Sequence, residues 1–375
     1  MKKIKSLNIP FFYGVQKDKN NGGIPSVLPF KYSFDEDLKL YSQESDDKLR
    51  QILQDIYLKG SMLNGEMNAL DGGHQGKAAL DFIYKSFSDL KNKRVLEIGC
   101  GNGFILKELI KKGATCVGLE PGPQIEEADL SNGDIELIND FFPSSKISGK
   151  FDLILHFNVL EHLENPVQSL KEQGALLNDS GKIIFGMPNS EPNLQTGDIS
   201  IFAHEHFNYF TRDSFIYIAK SAGFVIDSIT TGASNGMIFC SFMKENGTST
   251  SNYIDSGTKW STFDDKIDAS LKKLKQKLEE YSQKDIAIYC PKRALNALSI
   301  IGINDCRLVD DTVDMFGNYF PFFNNTIENF NSLIKNPPKV IIIFSRTFGN
   351  EIKRKCEANA ALQATKLFLL EDFDE

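Results

Sequence analysis

The chain has 375 residues, 41% hydrophobic and 25% charged, with a net charge of −8. That length suits two domains better than one small core, and the composition is that of a globular protein. The acidic balance, without a long basic run, argues against a nucleic-acid partner. No apolar run approaches membrane-spanning length, and the opening MKKIKSLNIPFFYG lacks the apolar segment of a signal peptide. Six cysteines, at 100, 116, 240, 290, 306 and 356, include no C-x-x-C pair. They fit a reducing cytoplasm rather than a zinc knuckle or a disulfide framework. The sequence does not fix the oligomeric state.

Residues 1–45 are polar and mixed, with prolines at 10, 25 and 29, and read as an irregular arm. Residues 46–58, DDKLRQILQDIYL, place leucine and isoleucine at helical spacing behind an acidic start. The glycine-rich stretch 59–76 reads as a lid or a plain surface loop, with Glu66 and His74 its polar candidates. Residues 78–87 should form the first helix of the next domain. In Lys93–Gly103, KRVLEIGCGNG, Val95, Leu96 and Ile98 end a buried strand and glycines follow at 99, 101 and 103. Glycine lets the backbone turn sharply and approach a ligand closely. The helical pattern FILKELIKKG follows, so strand, glycine turn and helix N-terminus make a nucleotide-binding corner. The G-x-G-x-G spacing differs from the dinucleotide fingerprint G-x-G-x-x-G. Glu97, two places before the first glycine, repels a pyrophosphate and attracts a cationic amino-acid ligand. A second apolar strand, TCVGLE, ends in Glu120, placed to accept hydrogen bonds from ribose hydroxyls.

This pattern resembles the first motif of the class I S-adenosylmethionine-dependent methyltransferases. The resemblance implies a Rossmann-like α/β fold with a seven-stranded sheet, S-adenosylmethionine as cofactor, and Glu120 on its ribose. Glu97 would lie near the methionine end, and Gly99, Cys100, Gly101, Gly103 and Pro121 would pack on the ligand. After the third strand, IELIND, Asp140 is the expected partner of the adenine amino group, with Asn139 as alternate; either residue equally fits a turn cap. The fourth strand, FDLILHF, is nearly all apolar, as a central parallel strand should be. It leads into Asn158-Val159-Leu160-Glu161-His162, which resembles the superfamily segment lining the cofactor pocket; Asn158, Val159 and His162 are its candidates. A helix over 164–177 and a fifth strand, KIIFGMP, follow. Residues 224–230 and 237–243 are expected as the antiparallel sixth and seventh strands.

Between the fifth strand and the next helix runs IFAHEHFNYFT, with His204, Glu205, His206 and Tyr209 as catalytic candidates. This loop leaves the carboxyl edge of the sheet, where ligands bind in open α/β folds. A histidine tuned by a carboxylate can remove a proton near neutral pH. The triplet could also bind a metal, but two histidines two places apart with no third ligand nearby make a weak case, and nothing requires one. The run resembles that of the sugar C-methyltransferases acting on nucleotide-linked keto-deoxysugars, in which Glu205 and His206 would be the acid–base pair. The helix over 266–281, the strand and turn IAIYCPK, LVDD, FGNYFP and the last strand KVIIIF extend the resemblance across roughly residues 60–370. The sequence departs from that family in three places. No cysteine precedes Cys100, so the cysteine-rich zinc module is missing. Ala203 stands where a tyrosine is usual. Cys290-Pro291 replaces a glycine.

The expected organisation is an arm and lid (1–75), a methyltransferase core (76–247), a linker helix (248–284) and a C-terminal Rossmann-like α/β domain (285–375). Having no glycine over 289–296, the last is not expected to hold a second dinucleotide, but to form a wall of the acceptor cleft or a scaffold; Lys292, Arg293 and Arg346 are either contacts for a nucleotide diphosphate or solvated surface. The leading expectation is methyl transfer to a small polar acceptor, a nucleotide-linked (keto)sugar above others. A sugar O-methyltransferase, a nicotinamide-type oxidoreductase and a non-catalytic S-adenosylmethionine-binding protein remain open.

Overall fold

The computed structural model describes residues 3–12, 14–19, 23–58, 73–123, 135–232, 236–245 and 252–374. The N-terminal residues, expected to be irregular, form three antiparallel strands: β1 (Lys5–Pro10), β2 (Val27–Asp35) and β3 (Leu40–Glu44). The reason is an alternation weaker than the polar residues around it. Phe30 and Tyr32 are buried while Lys31 between them is exposed. Pro29 lies outside the stretch paired with β3, so it borders a ladder on one side only. The expected helix follows as α1 (Asp47–Tyr57), capped by the Asp46 side chain accepting from Leu49 N–H, with Leu49, Leu53 and Ile56 buried.

The central domain runs α2 (Gly73–Ser86), β4 (Arg94–Ile98), α3 (Phe104–Ile110), β5 (Thr115–Leu119), β6 (Ile135–Ile138), β7 (Phe151–Phe157), α4 (Pro166–Leu176), β8 (Leu177–Pro188), α5 (Glu191–Thr196), β9 (Asn208–Tyr209), α6 (Arg212–Ala222), β10 (Phe224–Thr231) and β11 (Met237–Lys244). Its sheet has the order β10-β11-β8-β7-β4-β5-β6. Strands β4 to β8 are parallel, and β11 is antiparallel to both of its neighbours. Every expected strand of this domain is present and in sequence. The order reverses at β4, so the carboxyl ends of β4, β5 and β7 open on one crevice.

After α7 (Phe263–Leu278) come β12 (Ile286–Tyr289), α8 (Pro291–Ile301), β13 (Arg307–Val309), β14 (Ile327–Glu328), α9 (Phe330–Lys335), β15 (Val340–Ile343), α10 (Gly349–Glu357) and β16 (Lys366–Leu369). Their five strands are all parallel, in the order β14-β13-β12-β15-β16. This is the expected second α/β domain. The N-terminal strands join the two domains. Strand β9, from the loop carrying the histidines, completes their sheet through Tyr41–Tyr209 and Ser42–Asn208. One apolar cluster then runs through Phe30, Tyr41, Phe202, Phe263, Ile288 and Leu298. Each buried phenylalanine here contributes about 1.5–3 kcal/mol, so the join is a core and not a tether. Among the described residues no helix is long and apolar enough to cross a membrane.

Candidate active site

A cavity of about 480 Å³ opens at the carboxyl ends of β4, β5 and β7. Its floor is the glycine turn. Gly99, Gly101 and Gly103 have φ of 71°, 52° and 71°, a region that residues with a Cβ enter at a cost. At Gly99 the need is also steric, since a Cβ would meet Val159 Cγ2 at 2.6 Å. The turn after β4 and the segment after β7 are therefore packed face to face by the missing side chain. Gly99, Cys100 and Gly101 line the cavity. Gly103 does not; it caps α3 from the left-handed region and donates its N–H to the Cys100 carbonyl at 2.8 Å.

Two carboxylates frame this floor. Glu97 is buried, lines the cavity, and its Oε2 has no hydrogen-bond partner. Burial first, and then the charge of Glu120, push its pKa well up. Glu120 accepts from Gly101 N–H at 3.0 Å and Gly122 N–H at 2.8 Å, so it already ties the two turns together. Burial raises its pKa, and those two N–H groups pull against the rise. Pro121 and Asp140 line the same wall. The Asp140 carboxylate accepts from Ser144 Oγ at 2.8 Å and from Phe141 N–H at 2.9 Å, which holds its pKa below the usual carboxylate range. Asn139 stays outside the cavity and braces it, donating to the Glu120 carbonyl at 3.2 Å. Phe141 and Phe142 complete this end as apolar walls.

The opposite wall comes from further along the chain. Asn158 turns the end of β7 with φ 54°, a conformation asparagine tolerates. Asn158, Val159 and His162 line the cavity. So do Arg50 and Tyr57 from α1 and Phe207 from the histidine loop, which sequence reasoning missed. Helical spacing revealed α1 but not what it covers. Arg50 pairs with Glu164 (2.6 Å and 3.1 Å), docking α1 across the cavity mouth. Tyr57 Oη lies 2.8 Å from His162 Nδ1. The lid residues 59–72, with Glu66, lie outside the described residues, and His74 is exposed at the start of α2.

Among the catalytic candidates, none lines the cavity itself. His204 packs its ring against Phe11 and Phe30, with centroids 5.2 Å and 5.7 Å away, and burial pushes its pKa down to about 4. Tyr209 is a brace: its hydroxyl donates to the His206 carbonyl at 3.0 Å and accepts from Ala203 N–H at 3.2 Å. Both pack into the aromatic core against Phe30. Glu205 is buried behind the cavity wall, and its carbonyl meets His162 Nδ1 at 2.8 Å. His206 stands against His162, ring centroids 4.8 Å apart. Burial, His162 and Lys292 together push the His206 pKa well down.

The expectation of no third metal ligand beside the histidine loop is corrected here. Glu161, His162 and His206 converge, with one ligand atom from each lying within 4.8 Å of the others. Glu161 is buried with neither carboxylate oxygen bonded, and burial raises its pKa to about 8.

The C-terminal domain reaches this side through α8. Asn296 donates to the carbonyls of Ile199 and Phe202, each at 2.8 Å, clamping the start of the histidine loop. Arg346 is taken up by acids of this chain, pairing with Asp374 (2.6 Å and 2.7 Å) and with Asp198 at 3.3 Å.

Residues 73–229 match a family model described as a methyltransferase domain. The ubiquinone biosynthesis O-methyltransferase of Coxiella burnetii is 29% identical over 106 residues, 27% of this chain and 45% of that protein. The one from Nitrosococcus oceani is 28% identical over 124 residues, 30% of this chain and 50% of that protein. The chain thus spans about half the length of these curated relatives. The 1,6-didemethyltoxoflavin-N1-methyltransferase of Burkholderia thailandensis, solved with S-adenosylhomocysteine, aligns at TM-score 0.42 and 14% identity, covering 56% of this chain and 96% of that one. Given the strand order, the glycine turn with its two acids and the family match, residues 73–229 form a class I S-adenosylmethionine-dependent methyltransferase domain.

Proposed function

We propose that this chain transfers the methyl group of S-adenosylmethionine to a small polar acceptor, and that a nucleotide-linked sugar is the class that fits best. The observation that carries the reading is Glu97, a buried carboxylate with an unbonded oxygen on the cavity wall. An unpaired buried carboxylate is costly, and the α-ammonium of S-adenosylmethionine is the cation that offsets it there. Glu120 would exchange its bonds to the glycine turn for the ribose hydroxyls, and Phe141 would flank the adenine. The acceptor would enter on the side of Tyr57, His162 and Phe207.

Bound S-adenosylmethionine would supply an activated methyl group, its sulfur keeping the electron pair of the S–CH₃ bond as a neutral thioether. The acceptor atom supplies the pair for the new bond and loses one proton. Glu205 and His206 are the residues proposed to take it, through the wall that His162 forms. With a keto-sugar, the proton leaves the carbon beside the ketone and that carbon is methylated. A second reading, O-methylation of a hydroxyl, is favoured by Ala203 in place of the tyrosine usual in the C-methylating family and by the O-methyltransferase relatives.

The test is incubation with deuteromethyl S-adenosylmethionine and a panel of keto and hydroxylated nucleotide sugars, read by product mass. Solvent-deuterium exchange beside the ketone is followed in parallel. A labelled keto-sugar with exchange supports C-methylation; labelling of non-keto sugars alone moves the reaction to oxygen. Cofactor binding with no labelled sugar in the panel would sink the sugar reading.

A further inference from the structure

The segment after β7 and the histidine loop are far apart in sequence and locked together in space. Phe207 N–H donates to the Glu161 carbonyl at 2.6 Å, and Asn208 Nδ2 donates to the Leu163 carbonyl at 2.6 Å. His162 Nδ1 lies 2.8 Å from the Glu205 carbonyl. A carbonyl oxygen only accepts, which assigns the proton to Nδ1, with Tyr57 Oη at 2.8 Å as a second acceptor on the same nitrogen, and leaves His162 Nε2 to present a lone pair. That Nε2 is 3.8 Å from Glu161 Oε1, and His206 closes the group within 4.8 Å. A carbonyl that holds the distal nitrogen of a ligating imidazole is the usual support of a metal-binding histidine. The two carboxylate oxygens of Glu161, buried and unbonded, are the second mark of a missing cation.

We infer that Glu161, His162 and His206 form a binding site for one divalent cation of the zinc class, at the wall between the cofactor cavity and the histidine loop. Two imidazoles and one carboxylate are a ligand set that zinc accepts with a further position open. Ligand atoms held at about 2.0–2.2 Å from a tetrahedral ion stand roughly 3.4 Å apart, so the three side chains draw in by about an ångström or less. His162 is the member that lines the cavity, so a bound ion would stand next to the acceptor side and would supply a Lewis acid for an oxygen of the acceptor. His206 is then a ligand and no longer the base. This last step rests on the methyl-transfer reading; the binding of the ion does not.

The full chain is stripped with a chelator and titrated with Zn²⁺ alone, by calorimetry and by competition with a fluorescent chelator, with no acceptor added. Co²⁺ absorption reports the coordination geometry. One ion per chain is expected. Glu161→Gln and His206→Asn should each weaken binding at least about tenfold. His74→Ala, which alters an exposed histidine outside the cluster, should bind as the parent does. If the Glu161 variant fails to fold, the His206 variant and the parent titration still decide. No stoichiometric binding, or binding that survives both substitutions, overturns the site. Zn²⁺ binding without methyl transfer to any sugar would support the site and count only against the proposed acceptor.

Discussion

Two strand–turn–helix corners in this chain share a topology and differ in what they leave open. In the first, β4 passes through three left-handed glycines into α3, and a cavity opens above Glu97 and Glu120. In the second, β12 passes through Cys290 alone into α8, with Pro291 in the first turn. Here Tyr289 Oη donates to the Asp311 carboxylate at 2.9 Å, and Lys355 Nζ pairs with it at 2.8 Å. The acids at the ends of the second strands thus have opposite fates. Glu120 holds the rim of a cavity, while Asp311, half-exposed, is engaged by Tyr289 and Lys355. A parallel sheet supplies the crevice, and the turn decides whether a ligand has room in it.

The largest expected effect separates the two halves by acid. All five histidines precede residue 207, and three of them, His156, His162 and His204, are held neutral by burial at pKa values of about 3, 4 and 4. Their ordinary value is about 6.5, so below it the unfolded chain binds more protons and folding stability falls as pH drops. Each contributes up to about 1.4 kcal/mol per pH unit, roughly 4 kcal/mol per unit for the three. Glu161 works the other way: its pKa of about 8 makes its contribution full below about 4.5 and lost as pH rises through 8, and Glu97 and Glu120, also raised by burial, oppose the histidines in the same sense, so the net slope is smaller. Urea unfolding between pH 7.5 and 4.5 should show the central domain losing stability first, the C-terminal domain later. Parallel loss of both would break the comparison.

Gly99→Val attacks the open corner directly. Its φ of 71° and the 2.6 Å approach to Val159 leave no room for a side chain. S-adenosylhomocysteine affinity should fall at least about a thousandfold, some 4 kcal/mol, by calorimetry. A loss under tenfold would mean that the turn does not carry the cofactor.

A matched pair of acid deletions is next in size. Glu120→Ala removes charge-assisted bonds to Gly101 and Gly122 together with the proposed ribose contact, and should cost roughly 2–3 kcal/mol of cofactor affinity. Asp311→Ala removes a half-exposed ion pair and should cost under about 1 kcal/mol of stability, with cofactor affinity unchanged. Equal effects on affinity would erase the distinction between the corners.

The legible parts of this chain are those whose partners lie close in sequence. The glycine turn, its acids and the apolar runs of β4, β5, β7 and β8 each declare themselves within about ten residues. The N-terminal sheet did not, because its closing strand comes from a loop 166 residues away, as the Ser42–Asn208 bond shows. Tyr57, Phe207 and Glu161 were invisible as site residues for the same reason. His204 and His206 looked equivalent on the page; a turn between them buries one in aromatic core and sets the other beside His162.

The smallest expected effect tests whether glycine alone opens a corner. Cys290 sits at φ 59° and ψ 56°, where a side chain costs about 1 kcal/mol or slightly more. Cys290→Gly relieves that cost but frees the unfolded chain by about 0.4–1 kcal/mol. The net should be a stabilisation of under about 1 kcal/mol, seen as a slight rise in Tm. Because Tyr289 and Lys355 still engage Asp311 at the strand ends, the variant and the parent alike should bind one S-adenosylhomocysteine per chain. A second bound nucleoside would show that the left-handed cysteine, and not the side chains engaging Asp311, had kept the second corner shut.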